Sequence, residues 1–200
     1  MPVVFSQHTN NGSQLVLWHI TENVENLLQG LHHETIDAVS KFKCIQRQRE
    51  YAAVRQCLLF LNLNDGVIYD YSGKPRLETA CIGITHSGNY AAIIVNRNVN
   101  VSIDIERPQT RIEKMKDRFM SDEECLSFAS ISMNLSLIWS AKECVYKWFG
   151  NRPLDYRRHI CIETIGQQNI ITRVKNTQLV LNYKVFEEYE NLIMIWCEQT

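Results

Sequence analysis

Hydrophobic and polar residues alternate along the first half of the chain with the periods of short strands and one long helix. The run at 15–20 (LVLWHI) predicts a strand, and the segment at 45–63 (IQRQREYAAVRQCLLFLNL), rich in apolar residues and good helix formers, predicts a long helix. Two β-rich runs flank Ser-Gly-Asn within 81–96 (CIGITHSGNYAAIIVN), which predicts a β-hairpin.

The second half shows a similar mixture of patterns. A strand is predicted at 99–106 and a helix at 111–119, and Ser121 with Glu124 forms a capping box that predicts the start of another helix. The segment at 135–150 (LSLIWSAKECVYKWFG) predicts a helix that ends at Gly150. The remaining apolar runs predict antiparallel strands at 159–165, at 169–174 and at 178–197 with a break near Asn191.

Helices lie among hairpins in this order of elements, so the sequence predicts an α+β fold rather than a parallel sheet. The two halves share a loose similarity of organisation and meet near residue 98. We therefore expect a division into 1–98 and 99–200.

Composition limits the classes of partner and compartment. The 200 residues are 45% hydrophobic, which is enough for a substantial core, and 21 basic against 22 acidic residues give no overall charge that would favour nucleic acid or membranes. Seven cysteines without a C-x-x-C pair predict reduced core thiols rather than disulfides or a zinc site. No signal peptide or membrane-length apolar run is present in this sequence, so we expect a cytoplasmic protein.

Two carboxylates interrupt the apolar strand VSIDIE at 101–106. Side chains alternate along a strand, so Ser102, Asp104 and Glu106 share one face. Carboxylates at a spacing of about 7 Å repel each other unless a cation lies between them, and Mg²⁺ suits such oxygen ligands. The alternative is an ordinary strand with one solvated face and Arg107 or Arg111 nearby.

The helix that contains WSAKECVYK adds to this chemistry. Trp139, Glu143 and Lys147 recur every four residues and share one stripe of the helix. With Lys142, they offer a third carboxylate to a metal and two cations to a polyanion, a combination typical of a phosphate site. The alternative is a Glu–Lys surface pair beside a half-buried tryptophan.

Two turns carry further candidates, since His86 and Ser87 lie at the predicted hairpin turn and Lys74 lies in a Gly-Lys-Pro bend. The other histidines have no ligand spacing. No Ser/His/Asp pattern and no glycine-rich phosphate loop is present, which argues against protease, lipase, kinase and Rossmann functions.

Taken in order, Gly73-Lys74-Pro75, ITHSG (84–88), VSIDIE (101–106) and WSAKECVYK (139–147) resemble the motifs of 4'-phosphopantetheinyl transferases of the surfactin-synthetase-activating type. The resemblance covers roughly residues 45–150. It implies two similar α/β halves related by pseudo-twofold symmetry, with coenzyme A bound between them. It also implies transfer of phosphopantetheine from coenzyme A to a serine of an apo acyl or peptidyl carrier protein, with release of adenosine 3',5'-bisphosphate.

The resemblance assigns roles residue by residue. Asp104, Glu106 and Glu143 would hold Mg²⁺ on the pyrophosphate, and Lys147 would contact phosphate and offset charge on the leaving group. The residues implied to line the coenzyme A site are Lys74, Pro75, Thr85 and His86, with Asp104 and Lys147 beside them. An arginine of the 45–55 segment would bind the 3'-phosphate, with Arg49 chosen first and Arg47 second.

The general base is either Glu143, acting through a water molecule on the metal, or Glu124, which is the second choice because its capping box already gives it a structural role. Two positions depart from the family pattern: Ser102 stands where glycine is usual and would crowd the site or add a polar contact, and Cys144 stands where serine or alanine is usual.

The segment RIEKMKDRFM offers Arg111, Lys114, Lys116 and Arg118 beside Met115, Phe119 and Met120. It is either an amphipathic surface helix or the docking surface for an acidic carrier protein, with apolar side chains as anchors. We expect a monomer. Two other functions stay open: a non-catalytic relative that binds coenzyme A or carrier proteins, and an unrelated Mg²⁺-dependent phosphohydrolase that uses the same carboxylates.

Overall fold

The computed structural model describes residues 2–63, 66–128, 132–150 and 153–199, with the backbone alone at 132–134. The fold is α+β, as the sequence predicts, and is built from two antiparallel sheets. The first sheet has the order β1-β2-β6-β5-β4-β3 and comprises β1 (Val3–His8), β2 (Gln14–His19), β3 (Ile68–Tyr69), β4 (Pro75–Arg76), β5 (Cys81–Ser87) and β6 (Tyr90–Asn96). The second has the order β7-β11-β10-β9-β8 and comprises β7 (Val101–Glu106), β8 (Ile160–Ile165), β9 (Asn169–Val174), β10 (Thr177–Phe186) and β11 (Leu192–Glu198).

In the described part of the chain, six α-helices cover the outer faces of these sheets. They are α1 (Val24–Leu27), α2 (His33–Ser40), α3 (Ile45–Phe60), α4 (Thr110–Phe119), α5 (Asp122–Phe128) and α6 (Ser132–Phe149). One apolar core lies between α1 to α3 and the first sheet, a second lies between the two sheets, and a third lies between the second sheet and α4 to α6. The architecture is therefore four layers: helices, sheet, sheet, helices.

The predicted elements agree with the observed ones except at their ends. The long helix ends at Phe60, three residues before the predicted end, and the hairpin turns at Gly88 with Ser87 paired to Tyr90. The capping box is confirmed, because the Ser121 amide donates to Glu124 Oε2 (2.8 Å) and the Glu124 amide donates to Ser121 Oγ (3.2 Å).

The break near Asn191 is confirmed as well. A short 3₁₀ helix (Glu187–Tyr189) follows β10, and the next two residues, Glu190 and Asn191, have φ values of 58° and 55°. Left-handed backbone at two successive residues ends the ladder and turns the chain back into β11. Strand β1 is not among the elements predicted from the sequence.

The change from one sheet to the other falls between Asn96 and Val101. The division into domains 1–98 and 99–200 stays a prediction. Within the described ranges, none of the helices has the length and apolar character needed to cross a membrane.

Strand β7 is the central element of the molecule, because it is buried along its whole length. Val101, Ile103 and Ile105 pack into the core between the sheets, and the opposite face lies against α6. Its neighbour β5 approaches very closely at Gly83, where a Cβ atom would lie 3.0 Å from the Ile103 amide nitrogen. A side chain at Gly83 would push the two strands apart.

Candidate active site

A cavity of about 480 Å³ opens where β5, β7, α3 and α6 meet. The resemblance gives eleven residues a catalytic, coenzyme A or metal role, and nine of them line this cavity: Arg47, Lys74, Pro75, Thr85, His86, Asp104, Glu106, Glu143 and Lys147. Motifs that are spread over a hundred residues thus come together in one place.

Asp104 is the most constrained of the three carboxylates. Lys147 Nζ donates to its Oδ1 at 2.6 Å, and the Ser140 hydroxyl donates to its Oδ2 at 2.7 Å. The Thr85 hydroxyl adds a longer bond of 3.2 Å from β5. Both halves of the chain therefore fix the orientation of this carboxylate.

Glu106 and Glu143 are each held by one oxygen only. Ser87 Oγ (3.1 Å), Gln109 Nε2 (2.9 Å) and the Arg107 amide (2.9 Å) all donate to Glu106 Oε1. The Tyr156 hydroxyl donates to Glu143 Oε1 at 3.0 Å. In both side chains the described hydrogen bonds leave Oε2 available to a ligand.

The electrostatics of the group reflect its excess of negative charge. Burial raises the pKa of Glu143, and the nearby Asp104 raises it further. Burial likewise raises the pKa of Glu106, with a further contribution from Asp104. Burial on its own would lower the pKa of Lys147, but the attraction of Asp104 and Glu143 outweighs it, so the net pKa is raised. One lysine does not neutralise three carboxylates.

The donor set fits a hard divalent cation, because all three side chains offer oxygen and carry charge that a cation would neutralise. They are not gathered tightly, however. No choice of one oxygen from each brings Asp104, Glu106 and Glu143 within 4.8 Å of one another, so an ion requires a carboxylate to rotate or keeps water on that side.

Among the described residues, one group of three has its ligand atoms within 4.8 Å of one another: His32, His33 and Glu34, which are all exposed. These residues lie at the N-terminal end of α2, where the helix dipole disfavours a cation.

The side of the cavity formed by α3 and the end of β5 carries Arg47 and His86, together with Glu50. Arg47 donates to His86 Nε2 at 2.6 Å, and His86 Nδ1 lies 3.3 Å from Glu50 Oε2. Burial lowers the pKa of His86, which fits a neutral ring that accepts at Nε2 and carries its proton on Nδ1. This side offers positive charge and a hydrogen-bonding ring next to the carboxylates.

Lys74 reaches the cavity from the β3–β4 hairpin. Its Nζ donates to Asn100 Oδ1 (2.7 Å) and to the Trp148 carbonyl (2.9 Å), and burial lowers its pKa. Asp70 shapes the bend by accepting from the amides of Ser72 and Lys74. Lys74 therefore ties the hairpin to α6 as well as lining the cavity.

Two predicted residues lie elsewhere. Arg49, the first choice for a phosphate ligand, donates to the backbone carbonyls of Ile20 (2.8 Å) and Glu22 (3.0 Å) and does not line the cavity. The second choice, Arg47, does line it. One residue of register on a helix turns a side chain by about 100°, and the alternation of Arg and Gln at 46–49 does not fix that register.

Glu124, the alternative base, is also outside the cavity. Its carboxylate accepts from Lys142 Nζ (2.7 Å) and from the Ile162 amide (2.7 Å), and both ionised side chains are buried. Glu124 therefore has a structural position outside the cavity.

The structure corrects the alternative in which apolar side chains of this segment anchor a partner protein. Phe119 and Met120 are 1% and 0% exposed and pack into the core, while Arg111, Lys114, Lys116 and Arg118 are exposed. A helix of this amphipathicity turns its apolar stripe inward. The exposed apolar side chain nearest in sequence is Leu126 of α5, which is 91% exposed.

Sequence reasoning missed three residues of the site. Arg55 is 9% exposed, lines the cavity and lies 3.5 Å from the Tyr51 ring centroid, with no carboxylate paired to it in the described part of the chain. Ser140 precedes Glu143 by three residues, so helical spacing would have found it. Tyr156 lies in an irregular segment and carried no signal.

The two departures from the family pattern touch each other. Ser102 Oγ lies 3.2 Å from Cys144 Sγ, and both residues are buried. Burial raises the pKa of Cys144 to about 12, so the sulfur is a thiol that hydrogen-bonds a hydroxyl. Of the two effects expected for Ser102, the structure gives the polar contact.

Comparison with known proteins covers the C-terminal half. Residues 100–197 match the family model ACPS, described as the 4'-phosphopantetheinyl transferase superfamily. No curated protein matches the chain. The matched segment includes Asp104, Glu106, Glu143 and Lys147, so these four residues lie in the part of the chain that is similar to the 4'-phosphopantetheinyl transferase superfamily.

Proposed function

We propose that the protein is a Mg²⁺-dependent 4'-phosphopantetheinyl transferase of the surfactin-synthetase-activating type, with coenzyme A and an apo acyl or peptidyl carrier protein as substrates. The observation that carries the proposal is the cavity: residues of the matched segment and residues before it line one site that holds both carboxylates and basic groups. A pyrophosphate and a divalent cation need that pairing of charges.

In this proposal Asp104, Glu106 and Glu143 hold the Mg²⁺. When bound, the ion supplies Lewis acidity to the pyrophosphate and offsets the charge that develops in the transition state. The remaining work belongs to side chains. Lys147, fixed on Asp104, places its ammonium group where the leaving phosphate develops charge.

The reaction forms a P–O bond between the carrier serine and the phosphoryl group on pantetheine and breaks the pyrophosphate P–O bond. The serine proton passes through a water molecule to Glu143, which acts as the general base. Adenosine 3',5'-bisphosphate leaves with the electron pair of the broken bond.

Basic groups of the cavity bind the rest of coenzyme A. Arg47 lies between His86 and Glu50, and Arg55 is a second guanidinium, which unlike Arg47 has no carboxylate partner in the described chain. Arg47 and Arg55 therefore replace Arg49 in the assignment of the 3'-phosphate ligand. Lys74, Pro75 and Thr85 line the same cavity.

The carrier protein would dock beside α4, whose four exposed basic residues exceed its two acidic ones, Glu113 and Asp117. Basic groups speed encounter with an acidic partner. Leu126 is the candidate apolar anchor.

The decisive experiment is mass spectrometry of a panel of apo carrier proteins after incubation with the protein, coenzyme A and Mg²⁺. The expected result is the mass increase of one phosphopantetheine on at least one carrier, absent when the carrier serine is replaced by alanine. Coenzyme A binding without an adduct on any carrier would identify a non-catalytic relative. Release of inorganic phosphate from simple esters without a carrier would identify a phosphohydrolase.

A further inference from the structure

Tyr156 makes a single polar contact with the carboxylate group of the cavity. Its hydroxyl donates to Glu143 Oε1 at 3.0 Å, and no other donor in the described chain bonds to that carboxylate. The orientation of Glu143 therefore depends on where Tyr156 is held.

The ring of Tyr156 is clamped in an aromatic stack. Trp139 lies 5.6 Å away with an interplanar angle of 19°, and Tyr146 lies 5.1 Å away with an angle of 16°. Both partners belong to α6, the helix that carries Glu143. Offset stacking on two rings restricts the rotation of the tyrosine side chain.

The backbone around Tyr156 is fixed as well. Its carbonyl accepts from Lys142 Nζ at 2.9 Å, and Lys142 is itself paired with Glu124. One residue earlier, Asp155 Oδ1 accepts from the amides of Arg157 (2.9 Å) and Arg158 (2.8 Å), which closes a tight turn. A segment without regular secondary structure thus presents one hydroxyl group at a defined point.

We infer that Tyr156 is a positioning residue: it holds Glu143 Oε1 so that Oε2 alone faces the cavity and binds the divalent cation. This inference rests on the proposed function for the presence of the ion, and it adds a partner that controls the geometry of one ligand. Groups that hold metal ligands from behind change metal affinity by about 10- to 100-fold when they are removed.

The test compares Tyr156→Phe with Tyr146→Phe. Each variant loses one hydroxyl from the same stack, but only the first loses a bond to Glu143. Mn²⁺ is the probe, because oxygen ligands accept it and the free ion is counted directly by electron paramagnetic resonance. The second measurement is the Mg²⁺ concentration that half-saturates transfer, set against kcat at saturating Mg²⁺.

Tyr156→Phe is expected to weaken Mn²⁺ binding about tenfold or more and to raise the half-saturating Mg²⁺ concentration more than it lowers kcat. Tyr146→Phe is expected to match the wild type in both. Equal or tighter Mn²⁺ binding by Tyr156→Phe overturns the inference, as does an equal loss in both variants.

The two proposals fail differently. A Tyr156-dependent Mn²⁺ site in a protein that modifies no carrier would contradict the transferase function and keep the positioning role. A wild-type protein that binds no Mn²⁺ would overturn the positioning role, whatever the transfer assay gives.

Discussion

Helix α6 carries two lysine–carboxylate pairs that differ in how completely they are satisfied. Lys142 is fully buried, and its ammonium group donates to Glu124 Oε2 (2.7 Å) and to the carbonyls of Phe119 (2.7 Å) and Tyr156 (2.9 Å). Each of the three N–H donors of the ammonium group therefore has an acceptor. Glu124 in turn accepts from backbone amides through both oxygens.

The second pair, Lys147 with Asp104, lies five residues further along the helix. Five residues rotate a side chain by about 500°, or about 140° from the first, so this pair faces the cavity instead of the core. Lys147 keeps 33% of its side chain exposed, and Glu143 also attracts it. Glu106 lines the same cavity, and neither glutamate forms an ion pair within the described part of the chain. A fully satisfied buried pair supports the fold, and an unsatisfied one at a cavity is available for chemistry.

The largest effect on stability is expected from Lys142→Met. The substitution leaves the Glu124 carboxylate buried without its cation, which costs about 3–5 kcal/mol of unfolding free energy. Urea denaturation measures it. The double variant Lys142→Met with Glu124→Gln, which leaves no buried charge, should recover part of the loss. A single-variant loss below about 1 kcal/mol would show that the pair is not structural.

Asp104→Ala should have the opposite signature. Removing the carboxylate that holds Lys147 and a metal ligand should abolish transfer, at least about 10²- to 10³-fold in kcat/KM. The fold should persist, because the orphaned Lys147 ammonium group reaches the solvent of the cavity. Urea denaturation alongside the transfer assay separates the two effects. Full activity in this variant would remove the basis of the metal site.

Glu143→Gln tests the excess of charge through pH. The raised pKa of Glu143 in the folded protein means that the unfolded chain releases this proton first as pH rises. The stability linked to Glu143 is therefore complete below the ordinary glutamate pKa and is lost as pH rises through the raised pKa. Without divalent ions, Glu143→Gln should flatten this decline and raise the unfolding free energy at neutral pH. Each 1 kcal/mol gained corresponds to a rise in Tm of about 2–4 °C.

The matched control is Glu113→Gln on the exposed face of α4. It removes one carboxylate in water and should leave the pH profile unchanged. If both variants flatten the profile equally, net charge and not the buried group is responsible.

The contrast between the two pairs also explains what the sequence could and could not predict. The motif pattern located Asp104, Glu106, Glu143 and Lys147, because strand and helix periods state which side chains share a face. It ranked Glu124 second as a base on the capping box alone and did not predict the buried pair of Glu124 with Lys142, since that pair depends on how α5 packs on α6. Burial of that kind arises from tertiary packing and leaves no periodic signal.

The positions of other residues could not be predicted from the sequence, for related reasons. Arg49 and Arg47 differ only in register on one helix, and two residues decide whether a guanidinium faces the cavity or the loop between β2 and α1. Tyr156 lies in a turn, where side-chain direction depends on the local backbone. Whether Phe119 and Met120 face the core or a partner stays open in the sequence, because a chain segment does not state which stripe of its helix faces inward.

The smallest effect is expected at Ser102, where the family pattern has glycine. Its hydroxyl bonds Cys144 Sγ at 3.2 Å, on the face of β7 that packs against α6. A double-mutant cycle with Ser102→Ala and Cys144→Ala should give a coupling energy of about 0.5–1.5 kcal/mol, the net value of one buried hydrogen bond. Additive losses would show that the two residues do not stabilise each other.

Ser102→Gly decides whether this serine also affects the reaction. A side chain that crowded the cavity would hinder coenzyme A, so its removal would lower KM. Because the hydroxyl is committed to Cys144, we expect less than a threefold change in kcat/KM and a loss of stability that includes about 0.5–1 kcal/mol for glycine inside a strand. Faster transfer by Ser102→Gly would mean that the serine and the thiol form an obstruction, and that the two departures from the family pattern restrict the site.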